Sequence, residues 1–214
     1  MDLRRILLLI LLTALAAPAY GETVSVGAFS QGSLDGWEEQ EFANKTDYRL
    51  VTEDGRRVLQ ANSQAAASGL YKEMRIDLER TPYLHWSWKV DNTLGDLDET
   101  TRQGDDYPAR IYVVASGGLF FWNTHAISYV WASRQAKEKD WPNAFTGRAL
   151  MLAVQSGDER LGQWIEERRN VREDFRRLFG SDVRYIDAIA VMTDTDNAGG
   201  QSTAYYGDVY FSAD

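Results

Sequence analysis

The chain is expected to fold as an all-β protein, an antiparallel two-sheet β-sandwich of the jelly-roll kind with one short helix, and three observations predict this. Short runs with apolar–polar alternation recur along the sequence at short spacing, as half-buried strands do. Turn residues separate them, among them Asp54-Gly55, the dipeptide most typical of a two-residue hairpin. Helical periodicity occurs convincingly in one segment only, so there is no βαβ alternation to build a parallel sheet.

Residues 24–29 begin the strands, and residues 32–37 (GSLDGW) form a turn cluster. Residues 48–52 and 57–62 flank Asp54-Gly55 as a hairpin. Residues 70–78 alternate through Met74, Ile76 and Leu78. In residues 83–90 (YLHWSWKV), Leu84, Trp86, Trp88 and Val90 share one face, and Tyr83, His85, Ser87 and Lys89 share the wetter one. Residues 91–107 form a long acidic loop without periodicity, a length usually functional or mobile. It feeds a strand in which Ile111, Val113 and Ala115 point one way and Arg110, Tyr112 and Val114 the other. Pro108 stands where no N–H is needed. After the Gly117-Gly118 break, residues 126–131 and 150–154 read as strands around a polar excursion, 132–146, that carries Trp141. The helix is placed at 170–180: Asn170 caps it with Glu173 three residues on, Val171, Phe175 and Leu178 share a face, and Gly180 ends it. Residues 186–192 and 205–211 are the last strands, joined by 193–203.

Residues 1–21 have the anatomy of a secretory signal: Arg4 and Arg5, an apolar run from Ile6 to Leu12, then small residues at Ala17, Ala19 and Gly21. The apolar run is too short to span a membrane. Residues 22–214 are the size of a single β-sandwich domain. Cleavage after Ala19 or Gly21 predicts a periplasmic or secreted protein with no membrane span. Losing Arg4, Arg5 and Asp2 moves the net charge from −9 to −10. Such a surface repels nucleic acid and anionic lipid, and suits neutral or cationic partners. With no cysteine, no disulfide stabilises the exported domain.

Six short segments resemble, in order, the bacterial exported family DUF3047, a domain of unknown function. They are Trp86 to Val90, Gly104 to Arg110, Tyr129-Val130-Trp131, Arg169-Asn170-Val171 with Asp174-Phe175, Met192 to Asn197, and Tyr206-Gly207-Asp208. The resemblance implies a galactose-binding-like jelly roll and brings no activity with it.

Four constellations are candidates for chemistry. Asp194, Asp196 and Asn197 lie in DTDNAGG, where alternate oxygen donors followed by glycines suit a structural calcium ion. Asp208 joins them if the last two strands are neighbours. The same residues also make an ordinary polar turn. Asp105 and Asp106, with Arg110 and His125, are the catalytic set to be expected if the protein is an enzyme, although an Arg beside an Asp favours a plain ion pair. Two histidines exclude a multi-histidine zinc site, the absence of cysteine argues against catalytic zinc, and no G-x-S-x-G marks a nucleophile. Trp122, Tyr129, Trp131 and Trp141, with Trp164 and Asp106, would supply rings and a carboxylate for sugar binding, whereas Trp86 and Trp88 belong to the core.

The function expected from these observations is a non-catalytic exported binding module for carbohydrate or another cell-envelope polymer. The alternatives are an envelope hydrolase or lyase using Asp105, Asp106 and His125, and a periplasmic assembly or scaffolding factor.

Overall fold

The computed structural model describes residues 21–116 and 124–214. The expected signal segment up to residue 20, the Gly117-Gly118 break and Trp122 lie outside the described residues. In chain order the strands are β1 (Thr23–Gly27), β2 (Glu38–Ala43), β3 (Asp47–Glu53), β4 (Arg56–Gln64), β5 (Ala67–Asp77), β6 (Tyr83–Val90) and β7 (Ala109–Ala115). They continue with β8 (His125–Ala132), β9 (Asp140–Pro142), β10 (Ala149–Ser156) and β11 (Ile165–Asn170). Helix α1 (Val171–Phe179) follows, then β12 (Tyr185–Asp194), β13 (Gln201–Tyr206) and β14 (Val209–Ser212).

Two sheets stack as a sandwich. The first runs β1-β14-β6-β13-β4-β3 with β11 added to β6, and the second runs β2-β5-β12-β7-β8-β10-β9. The Asp54-Gly55 hairpin joins β3 and β4 with Glu53 opposite Arg56, and both turn residues have positive φ, 50° and 74°, as that turn demands. The expected strand over 205–211 is two strands. Gly207 breaks it by approaching Ser87 so closely that a Cβ would lie 2.2 Å from the Ser87 hydroxyl. One pairing is parallel where antiparallel was expected: β10 runs with β8. The excursion between them, which contains β9, carries the chain back along the sheet before β10 begins. Helix α1 forms as its pattern predicts, with Asn170 accepting the Glu173 N–H and Gly180 left-handed at φ 66°.

The core lies between the sheets. Trp86 and Trp88 of β6 face Tyr129 and Trp131 of β8 with ring centroids 5.5 and 6.0 Å apart. Ile111 and Val113 lie in the same layer, and all six side chains are buried. The outer face of β8 and β10 is covered as well: Tyr107 and Trp141 lie over Val130, Ala132, Met151 and Ala153. The outer face of β5, β12 and β7 has no such cover.

Candidate functional site

The uncovered outer face forms a trough of about 760 Å³. The strand register sets out its floor in cross-strand rows. Tyr71, Ala190 and Tyr112 form one row, and Gly69, Met192 and Arg110 the next. Small residues at 69, 188 and 190 keep the floor low while Tyr71 and Tyr112 stand on either side of it. Phe42 of β2 rises at one sheet edge. At the other side Phe145 and Asn143, after β9, continue the wall built by Tyr107 and Trp141. From β2 to β7 the floor spans three strand spacings, about 14 Å.

One end of the trough is charged. Arg110 donates from Nη2 to Asp194 Oδ2 at 2.6 Å, and both side chains are buried. Burial pushes the Asp194 carboxyl well above the usual carboxylate range. Arg110 pulls it back down, and Asp106, Asp105 and Asp196 push it further up. Asp105 is raised too, chiefly by burial, against the pull of Arg110 and of hydrogen bonds from Tyr107 and Asn143. Tyr112, 5.2 Å under the Arg110 guanidinium, is pushed up to about 12 by burial. Asp106 is fully buried, and its two carboxylate oxygens accept the backbone N–H groups of Asn197 and Ala198 at 3.0 and 2.7 Å. That clamp ties the entry to β7 to the turn after β12.

Several sequence expectations need correction. Tyr129, Trp131 and Trp141 are buried and offer no ring to a ligand. The first two pack between the sheets, and the Trp141 Nε1 donates to the Glu99 carbonyl. Trp164 is remote, its Nε1 donating to Asp54 on the β3–β4 hairpin of the other sheet. Asp106 faces the clamp and does not line the trough. The set Asp105, Asp106 and His125 does not converge, because His125 pairs with Ala115 at the far end of β7 and stacks on Phe179 at 4.4 Å. Asp208 is not part of the aspartate cluster: its carboxylate accepts from the Ser30 N–H and hydroxyl, at the end of β13 away from the DTDNAGG turn. Asp106 takes its place, and among the described residues Asp106, Asp194 and Asp196 bring one carboxylate oxygen each within 4.8 Å of one another. The trough residues Phe42, Tyr71, Tyr112 and Phe145 were missed. Tyr112 was within reach, because the alternation that sent Ile111 and Val113 inward sends Arg110 and Tyr112 outward together.

A family model described as "Protein of unknown function (DUF3047)" matches residues 35–210. The chain belongs to the DUF3047 family. The matched region contains every residue of the DUF3047 trough, from Gln40 to Asn197. No curated protein matches in sequence. Among solved structures, the chain is similar to the family 30 carbohydrate-binding module of a Clostridium thermocellum cellulosomal cellulase, with a TM-score of 0.50 and 10% identity, covering 89% of this chain and 96% of that one. It also resembles the xyloglucanase domain of NopAA from Sinorhizobium fredii, with a TM-score of 0.48 and 8% identity, covering 90% and 97%. At such identities the likeness is one of fold alone.

Proposed function

We propose that this DUF3047 protein is an exported, non-catalytic module that binds carbohydrate, or a carbohydrate-like polymer of the cell envelope, in the trough. One observation carries the proposal. Of the three large apolar side chains exposed among the described residues, two, Phe42 at 68% and Phe145 at 53%, line the trough at its two sides. Exposed rings around a concave apolar floor mark a place where something binds. Sugar rings stack their C–H faces on tyrosine and phenylalanine, and Gln40, Asn143 and Asn197 stand at the trough to meet hydroxyls. The net charge of −9 disfavours polyanions and leaves neutral polymers as the better partners. The fold shared with a carbohydrate-binding module supports the same ligand class by analogy.

The test is a panel of neutral polysaccharides, scored both for retention of the mature protein and for release of new chain ends. Retention without cleavage is expected. Tyr112→Ala should weaken it about tenfold, the worth of one ring contact, while Trp164→Ala on the other sheet leaves it unchanged. Cleavage of the polymer would make the protein an enzyme, and retention unaffected by Tyr112→Ala in a folded variant would place the ligand elsewhere.

A further inference from the structure

We propose that Asp106, Asp194 and Asp196 hold a calcium ion at the charged end of the trough, and that this ion is itself a contact for the bound ligand. The second half rests on the trough being the ligand site; the first does not. Three facts point to a cation. One carboxylate oxygen from each aspartate lies within 4.8 Å of the other two, a separation that one ion can bridge. Asp194 Oδ1 is buried and has no hydrogen-bond partner, although Oδ2 of the same group is held by Arg110. A buried oxygen left so is costly unless something positive meets it. Third, these three carboxylates, with Asp105 beside them, outnumber the single Arg110 guanidinium, so negative charge is left over for a cation to meet.

The donors are also held in place. Asp106 precedes β7 and Asp194 ends the neighbouring β12, so the sheet fixes their spacing. The backbone N–H groups of Asn197 and Ala198 orient the Asp106 carboxylate from behind. All donors are carboxylate oxygens, with no histidine or cysteine among them, which selects a hard ion. Calcium takes six to eight oxygens in flexible geometry. Three carboxylates therefore leave positions to fill. Asp106 lies outside the trough lining whereas Asp194 and Asp196 belong to it, so the protein closes one side of the ion and the trough lies on the other. Hydroxyl pairs of a ligand seated in the trough would complete the shell.

The experiment uses the mature protein stripped with chelator. Calcium chloride alone, titrated in a calorimeter, should bind once and raise the melting temperature, and magnesium should raise it less. Asp196→Asn should weaken calcium binding at least tenfold with the stripped melting temperature kept, since Asp196 is only half-buried and the side-chain hydrogen bond it accepts comes from its neighbour Asn197. Absence of calcium binding by the wild type, an equal response to magnesium, or unchanged affinity in Asp196→Asn each overturns the site. For the second half, a polysaccharide retained in calcium should be released by chelator. Retention that survives chelator overturns the bridging role while leaving the trough as ligand site. Failure to retain any polysaccharide, with calcium bound as expected, overturns the proposed function and the bridging role together but leaves the ion in place.

Discussion

Trp88 shows how one side chain fixes the orientation of a whole strand. It is fully buried, 5.4 Å edge-on to Trp86 and 6.0 Å from Trp131 across the sandwich. Trp88→Ala should cost about 3–5 kcal/mol in urea unfolding, and a loss below about 1 kcal/mol would contradict the packing. The alternation of YLHWSWKV was enough to place it, since period two admits only two faces. The same reasoning could not separate core from ligand for Tyr129 and Trp131. Their strand is buried on both faces: Trp86 and Trp88 of the opposite sheet meet these two rings, and Tyr107 and Trp141 cover Val130 and Ala132 on the other side. A ring's burial is then decided by segments its own neighbours do not reveal.

At the scale of elements, the stretch before β7 reads as a loose acidic loop and folds as a fixed one. Glu99 is fully buried and accepts the backbone N–H groups of Ser133, Arg134 and Gln135, while its carbonyl accepts from Trp141 and Tyr107. These partners lie more than thirty residues away, apart from Tyr107, so no local pattern announces them. Gly104 makes the packing feasible, because a Cβ there would lie 2.3 Å from the Asp98 carbonyl oxygen. Backbone cannot swing aside as a side chain can. Gly104→Ala is expected to lose about 1–3 kcal/mol on thermal unfolding and to weaken polymer retention by shifting the Tyr107–Trp141 wall. Gly147→Ala, where an added methyl meets nothing within 4 Å, serves as the silent control. The strands beneath were legible because alternation is local. The trough was not, because it exists only once β2, β5, β12 and β7 lie side by side.

For the molecule as a whole, stability should fall as pH rises toward neutrality. Asp91, Glu99, Asp105, Glu167 and Asp194 are all raised, burial being the main cause in each. The folded state therefore keeps protons that the unfolded chain gives up from about pH 4 upward, and stability declines through the window between the two sets of values. Asp54, Asp77, Asp98 and Asp182 are lowered by hydrogen bonds from Lys89, Arg184, Thr100 and Arg172 in turn. Those groups act in the opposite sense, below about pH 4, and water screens them. With chelator present, the urea midpoint should be higher at pH 5 than at pH 7.5, and Glu99→Gln should flatten the slope. A midpoint that climbs between those two values would contradict the burial of these carboxyls.

The pairing of β1 with β14 sets Thr23 opposite Ser212 and gives the opening strand its only ladder in the first sheet. Closing so long a loop is entropically slow, and contacts between distant stretches of sequence are the ones that retard folding. Until residues 209–212 are in place, β1 has no partner strand in the first sheet. The seam that closes the first sheet is thus stitched between strands far apart in the sequence, and its formation is expected to come late in folding.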